Sequence, residues 1–218
     1  IKQHVDIIDF GKPTHSIEVD NLCNNRLNSI FQQILLKAEK IIDSYENIVI
    51  QGDTATVAAT ALAAYNLKKK IFYIESGLRS FDLENPYPEE GYRQMVSRIA
   101  TVNFCPTDLS AQNLRNEKVL GEIFVTGNTA LDNLINDKKD ASYGKDILIT
   151  LHRNENLSDL SAWVEEIDKL AQINSRYKFI YPVHPNPIIK EAVKNTKHIT
   201  KVNPLEHRDF IKILKNCS

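Results

Sequence analysis

Two acidic residues follow the ends of two short apolar runs that the sequence predicts to be neighbouring strands. Asp53 comes shortly after the β-branched run 48–50, and Glu75 comes directly after the apolar run 71–74. Both runs have the length and composition of buried parallel strands. In an open α/β sheet, ligands bind beyond the carboxyl ends of the strands, so the two carboxylates are candidates for acid–base chemistry on a ligand. Strand-end acids also serve as helix caps or lie in solvated loops, and the spacing alone leaves that interpretation open.

A second pair of acids, Glu89 and Glu90, follows the Pro86-Tyr87-Pro88 segment. The two glutamates are predicted to begin a helix, where the positive end of the helix dipole favours carboxylates. Capping alone would explain one of them. The pair therefore indicates chemistry only in combination with the other acids.

His152 occupies the place after strand 147–149 that Asp53 and Glu75 occupy after their own strands. An imidazole titrates near neutral pH, which suits general acid–base catalysis beside carboxylates. A single histidine after a strand is more often a hydrogen-bonded structural residue, and that alternative stays open. His184, in the segment YPVHPNP, is a similar candidate. The prolines beside it make the strand exit rigid. A ligand contact and a plain turn are equally open there.

Strands and helices alternate along the predicted elements, which indicates a right-handed parallel βαβ architecture of the α/β class. The predicted strands are 48–50, 71–74, 102–104, 123–125, 147–149, 178–181 and 199–202. The predicted helices are 27–42, 54–66, 89–100, 110–115, 157–171, 188–194 and 206–215. The segment 54–66 is rich in alanine and lacks proline, so its small side chains should allow close packing on the sheet.

A polar, charged stretch near the middle of the chain predicts a domain boundary. Residues 136–145 have the sequence NDKKDASYGK, which is poor in apolar residues and typical of a linker. We expect a first domain at 1–135, a linker at 136–146 and a second parallel-sheet domain at 147–218. The second domain has too few predicted elements to close a sheet of the usual size, so it is expected to be incomplete.

The composition is that of a globular protein with balanced charge, with 27 Lys and Arg against 28 Asp and Glu and a hydrophobic fraction of 42%. This balance excludes a protein whose main function is to bind nucleic acid through a basic surface. The sequence contains no stretch that is long and apolar enough for a membrane span. Cys23, Cys105 and Cys217 lack CxxC spacing and the histidines are dispersed, which predicts reduced thiols in a cytoplasmic protein and no metal site.

Several longer motifs follow one another along the chain, beginning with GDTAT at Gly52, ESGLR at Glu75 and PEExxR at Pro88. They continue in FCPTDLSAQNL, VTGNTALDNL, ITLHRNEN, YPVHPNP and NPLEHRDFIKILKNC. Taken in order, these motifs resemble the UDP-N-acetylglucosamine 2-epimerase family, in its non-hydrolysing bacterial branch. The matches run from about Ile48 to Cys217, so the resemblance does not depend on any single motif.

The resemblance implies a fold of two Rossmann-like domains with parallel sheets and an active site in an interdomain cleft, as in GT-B-like enzymes. It implies epimerisation at carbon 2 of UDP-N-acetylglucosamine to UDP-N-acetylmannosamine, with no nicotinamide, no other cofactor and no metal. The reaction would pass through elimination of UDP to a 2-acetamidoglucal and re-addition of UDP. The product would be a precursor of cell-surface polysaccharide, and the enzyme is expected to be a cytoplasmic homodimer that binds neither nucleic acid nor membrane.

The resemblance also assigns roles to individual residues. The expected catalytic residues are Asp53, Glu75, Glu89 and His152. The expected substrate-binding residues are Arg93, Arg153, Asn128, Glu155 and Asn156. The fixed charges of the two arginines suit the diphosphate. A second UDP-sugar, bound as an allosteric activator, would contact His184 and Arg153.

The chain also departs from the family pattern. Gly91-Tyr92 stands where the family has a small or aliphatic residue and asparagine, Ser76 replaces a common alanine, and Asn154 stands where arginine is frequent. These departures bear on the identity of the sugar more than on the reaction. The family's GTRPE loop and SGG-QEE site are missing from the sequence, so we expect part of a longer enzyme without its first strand. The alternatives are a C2 epimerase of a related UDP-2-acetamido sugar, a GT-B glycosyltransferase and a non-catalytic UDP-sugar-binding fragment.

Overall fold

The computed structural model describes residues 14–129, 131, 144–151 and 157–217. The chain forms two compact units, Ile1–Asn133 and Leu134–Ser218. The elements of the first unit are α1 (Arg26–Asp43), β1 (Asn47–Gln51), α2 (Ala55–Asn66), β2 (Lys70–Ile74), α3 (Glu89–Ile99), β3 (Val102–Cys105), α4 (Asp108–Asn116) and β4 (Glu122–Val125). Those of the second are β5 (Asp146–Leu148), α5 (Leu160–Ile173), β6 (Lys178–Pro182), α6 (Pro187–Val193), β7 (Ile199–Val202) and α7 (His207–Lys215).

The sheet of the first unit is parallel throughout and its strands lie in the order β1-β2-β3-β4. Ile50 pairs with Tyr73, and Tyr73 pairs with Asn103 on the next strand. Each strand follows its neighbour in sequence, so every strand-to-strand connection is a crossover through a helix. The register brings the carboxyl ends of all four strands to one edge of the sheet.

The core of the first unit depends on the small side chains of α2. Six alanines of this helix are buried, among them Ala59, Ala61 and Ala64, which have no exposed surface. Because alanine adds so little width, α1 and the sheet can both approach α2 closely. Thr54 caps the start of α2, and its hydroxyl accepts a hydrogen bond from the amide of Val57. The predicted close packing of this segment is confirmed.

The second unit repeats the arrangement with three parallel strands in the order β5-β6-β7. Its core combines Leu160 and Val164 of α5 with Phe179 and Tyr181 of β6 and with Ile189 of α6. The buried Tyr181 hydroxyl donates a 2.6 Å hydrogen bond to the carbonyl of Leu151, which fixes the chain beyond β5.

The prediction of an α/β fold with parallel sheets is confirmed, and the predicted strands and helices lie within a few residues of the observed ones. The proposed linker lies largely outside the described residues, so its position stays a prediction. None of the helices in the part of the chain that the structure describes is long and apolar enough to cross a membrane.

Candidate active site

Asp53 lies just beyond the carboxyl end of β1, where Gly52 turns the chain with a φ of +82°. A single oxygen of Asp53, Oδ2, accepts Nε of Arg93 at 2.9 Å and lies 2.7 Å from Nη2 of the same guanidinium. The two side chains are 28% and 17% exposed, so a ligand can still reach them. The structure therefore joins two of the predicted site residues directly.

Glu75 follows β2 in the left-handed conformation, with a φ of +66°. Ser76 comes next and is buried. Its hydroxyl donates a hydrogen bond to Oδ1 of Asn103 at 2.7 Å, and its amide donates one to the carbonyl of Phe104. Gly77 has a φ of +86°, and a β-carbon there would collide with the carbonyl oxygen of Ser110. The loop after Glu75 is thus fixed against β3 and α4, so the backbone that carries the Glu75 carboxylate is held in place.

Glu90 is the acid of its pair that the protein buries completely. Its carboxylate accepts the amides of Ser80 and Phe81 at 3.1 and 3.2 Å and the side-chain amide of Gln94 at 2.9 Å. Nη1 of Arg93 lies 3.5 Å from it. Burial alone raises the pKa of Glu90, but the hydrogen bond from Gln94, those from the two backbone amides and the charge of Arg79 outweigh burial and lower it.

Glu89, the predicted catalytic member of the pair, is the first residue of α3 and is only partly buried. No hydrogen bond or ion pair joins its carboxylate to another described residue. The pKa of Tyr92 is raised first by burial, then by the neighbouring Tyr87 and by the charge of Glu89. The position of Glu89 agrees with the predicted helix start, and its catalytic role stays a prediction.

A buried ion pair fixes the other end of the loop that begins at Glu75. The side chain of Arg79 is fully buried, and its Nε and Nη2 donate to the two carboxylate oxygens of Glu117 at 2.6 and 2.9 Å. Nη2 also donates to the hydroxyl of Ser97 on α3. Sequence reasoning gave no role to Arg79 and named Glu90 only as a member of its pair, although the spacing of three residues between Glu90 and Arg93 on a helix would have suggested their contact.

The buried Tyr73 of β2 is influenced by these charges. Burial raises the pKa of its hydroxyl, and the charges of Asp53 and Glu75 raise it further, whereas those of Arg79 and Arg93 lower it. All four charged groups therefore lie within electrostatic range of the Tyr73 hydroxyl.

Asn128 follows β4, one residue after Gly127, which has a φ of +88°. Its carbonyl accepts the amide of Leu131, and the hydroxyl of Thr129 accepts Nε2 of Gln51 at 3.2 Å. Because Gln51 ends β1, the segment after β4 returns across the carboxyl edge of the sheet. The predicted binding residue Asn128 therefore belongs to the same edge as Asp53.

His184 is exposed between β6 and α6, and its Nδ1 accepts the amide of Asn186 at 3.2 Å. Nearby, a groove of about 540 Å³ opens at the carboxyl ends of β6 and β7, with Val183, Lys190 and Lys201 in its wall. The histidine thus takes part in a turn, and its contact with a second UDP-sugar stays a prediction.

Four of the predicted site residues lie outside the described residues: His152, Arg153, Glu155 and Asn156. Leu151, directly before them, is described and accepts the Tyr181 hydroxyl. Within the described ranges, no group of three or more His, Cys, Asp or Glu side chains is arranged to hold a metal ion.

A parallel α/β fold with carboxylates at the carboxyl ends of its strands, one of them bound to an arginine of α3, defines a Rossmann-like protein with a candidate ligand site at that edge of the sheet. A sequence model of the family described as UDP-N-acetylglucosamine 2-epimerase matches residues 2–218. The UDP-N-acetylglucosamine 2-epimerase of Campylobacter jejuni is 35% identical over 243 residues, covering 98% of this chain and 63% of that protein. The chain belongs to the UDP-N-acetylglucosamine 2-epimerase family, which confirms the resemblance of its motifs.

Solved structures agree with this assignment. The Neisseria meningitidis UDP-GlcNAc 2-epimerase bound to UDP-GlcNAc has a TM-score of 0.78 and 27% identity, covering 94% of this chain and 59% of that one. The S. aureus MnaA–UDP co-structure has a TM-score of 0.83 and 29% identity, with the same coverage of 94% and 59%. The chain thus spans less than two thirds of the length of these relatives.

Proposed function

We propose that the whole protein to which this chain belongs epimerises UDP-N-acetylglucosamine at carbon 2, giving UDP-N-acetylmannosamine. The observation that carries the proposal is the meeting of Asp53 and Arg93 at the same sheet edge as Glu75. Family membership supports it, and so does the binding of UDP-GlcNAc by the Neisseria relative and of UDP by the S. aureus relative.

The proposed chemistry has two balanced halves. In the first, a base removes the hydrogen at carbon 2 as a proton, the carbon 1–oxygen bond breaks, and UDP leaves with the bonding electrons. This step forms a carbon 1–carbon 2 double bond, the 2-acetamidoglucal. In the second, a phosphate oxygen of UDP adds to carbon 1 and a proton is delivered to carbon 2 on the opposite face. Such a site needs a base, an acid on the other face and cations for the departing diphosphate.

We assign these tasks to the residues predicted from the motifs. Asp53, Glu75, Glu89 and His152 are the proposed acids and bases. Arg93, Arg153, Asn128, Glu155 and Asn156 are the proposed substrate-binding residues. The guanidinium of Arg93 is engaged by Asp53, so a diphosphate would have to share it with that carboxylate.

Product analysis in deuterated water tests the reaction. Proton removal and return should leave deuterium at carbon 2 of UDP-N-acetylmannosamine, and NMR of the product would detect it. Retention of the original hydrogen would contradict elimination and point to another route, such as hydride transfer. The assay requires the full-length enzyme and no acceptor, so turnover without an acceptor would also exclude a glycosyltransferase.

A panel of UDP-2-acetamido sugars would define the substrate. We expect UDP-N-acetylglucosamine to have the highest kcat/KM, and a clearly better substrate would reassign the enzyme to a related sugar. The proposal further includes a non-hydrolysing reaction, a cytoplasmic homodimer, and a second UDP-sugar bound as an activator through His184 and Arg153. Retained binding of UDP-sugars without turnover by the full-length protein would instead support a binding function.

A further inference from the structure

Glu90 has more partners than a helix-start carboxylate needs. A carboxylate in the first turn is stabilised by the helix dipole even when it stays in water. Glu90 is instead withdrawn completely from solvent, and removing a charge from water is unfavourable unless hydrogen bonds and an opposite charge offset the lost hydration. Three hydrogen bonds and the guanidinium of Arg93 supply that compensation.

The partners of Glu90 belong to two different parts of the candidate site. The amides of Ser80 and Phe81 lie in the loop that begins at Glu75, and Phe81 has the left-handed φ of +59°. Arg93 belongs to α3, and its Nε and Nη2 contact the carboxylate of Asp53. One buried carboxylate therefore touches both the loop that carries Glu75 and the cation that holds Asp53.

We propose that Glu90 is a positioning residue that sets the place of Asp53 relative to Glu75, acting on the first through Arg93 and on the second through the amides of Ser80 and Phe81. The inference rests on the proposed epimerase function. It assigns to the second glutamate of the pair a role different from the catalytic one proposed for Glu89, which has no such contacts among the described residues.

Glu90→Gln tests the role, because an amide has nearly the same shape but brings an NH₂ group against donors that need an acceptor. In the full-length enzyme we expect kcat for UDP-N-acetylglucosamine to fall by about 10²-fold, the scale of a misplacement of about 1 Å in a reacting group. KM should change by less than about threefold, since Glu90 is too deeply buried to contact substrate. Glu84→Gln, an exposed glutamate in the same loop region, is the matched control and should keep wild-type turnover.

A double-mutant cycle separates positioning from a purely structural role. Because Glu90 acts partly through Arg93, Glu90→Gln combined with Arg93→Lys should lower kcat by less than the product of the two single effects. Multiplying effects, or wild-type turnover in Glu90→Gln, would overturn the inference. If Glu90→Gln fails to fold, Gln94→Ala removes one hydrogen bond and keeps the charge, and kcat should then fall about two- to fivefold. An unchanged kcat in that variant would also count against the role.

Amide exchange distinguishes failure of this inference from failure of the proposed function. The amides of Ser80 and Phe81 should exchange faster in Glu90→Gln than in the wild type, whatever reaction the enzyme catalyses. A wild-type enzyme without epimerase turnover would overturn the proposed function, whereas unchanged exchange at these two amides would overturn the link through Glu90.

Discussion

The two units are each held together internally by different kinds of side-chain contact. In the first unit, charged side chains pair across the fold: Arg79 with Glu117, and Arg93 with Asp53, at sequence separations of 38 and 40 residues. In the second unit, by contrast, Lys169, Lys194 and Lys212 pair with acids three or four residues away on exposed helix faces.

The second unit relies instead on side chains that bind the backbone. The carboxylate of Asp168 accepts the amides of Lys197, His198 and Ile199 at the start of β7. The hydroxyl of Tyr181 binds the carbonyl of Leu151. These contacts determine where loops run, whereas the ion pairs of the first unit determine where charged groups lie. Removing a charge should therefore disturb the candidate site in the first unit and mainly loop stability in the second.

The largest effect should come from Glu89→Gln in the first unit. The amide keeps the shape of the side chain and removes its charge and basicity, so turnover should fall by about 10²- to 10⁴-fold, the usual scale of a general acid or base. Steady-state kinetics would measure this, with a circular dichroism melt to show that the fold survives. Turnover close to that of the wild type would mean that Glu89 is only a helix-start carboxylate and does not belong to the catalytic residues.

Arg79→Ala should give the largest loss of stability. It leaves the carboxylate of Glu117 without its buried partner, which typically costs about 3–5 kcal/mol of unfolding free energy. Urea unfolding would measure the loss. Lys169→Ala is the contrast in the second unit, because its ion pairs with Glu165 and Glu166 are exposed and should contribute nothing measurable. Equal losses in the two variants would break the distinction between the units.

Asp168→Asn should change the acid stability of the second unit. Burial raises the pKa of Asp168, but the amides of His198 and Lys197, with the charge of His198, outweigh it and lower the pKa below its ordinary 3.8. The carboxylate therefore contributes its full stabilisation above the unfolded-state pKa, and this contribution is lost as the pH falls through the lower folded-state pKa.

Near neutral pH, the Asn variant should be less stable by about 1–2 kcal/mol, the scale of a lost cap. The deficit should shrink as the pH falls below about 4, where the wild-type carboxylate is also lost. Urea midpoints across this range would show it. A deficit that does not vary with pH would mean that the charge of Asp168 is not what holds the loop.

A small but measurable effect should come from Tyr181→Phe, which removes one neutral hydrogen bond to Leu151 and keeps the ring in the core. Unfolding free energy should fall by about 0.5–1.5 kcal/mol. Thermal melts of this variant beside Tyr73→Phe would compare buried tyrosines of the two units. A loss much larger than this range would show that the second unit, too, depends on a single buried polar contact.

Local pattern was enough to predict most of the elements. The apolar run 71–74 and the observed β2, Lys70–Ile74, differ by one residue, and so do the predicted helix 54–66 and the observed α2, Ala55–Asn66. Such features are encoded by residues next to each other in sequence. The strand-end positions of Asp53 and Glu75 followed from the same reasoning, because a parallel sheet brings its carboxyl ends to one edge.

The partners of the charged residues could not be predicted in this way. Whether Glu89 or Glu90 is buried depends on how the loop at Ser80 and Phe81 folds back over α3, and no periodicity describes that loop. The pairing of Arg79 with Glu117 requires knowledge of how α4 lies beside the loop. Long-range contacts between single side chains leave no regular signal in the sequence.

The left-handed conformation of Glu75 has a consequence for attempts to engineer this protein. Glycine adopts a φ of +66° without steric penalty, whereas a residue with a β-carbon loses on the order of 1 kcal/mol there. A search for stabilising substitutions would therefore favour Glu75→Gly, and would remove a proposed catalytic group in doing so. The chain carries at this position a residue that is more strained than glycine would be. Thermal stability alone is therefore a misleading objective for this loop.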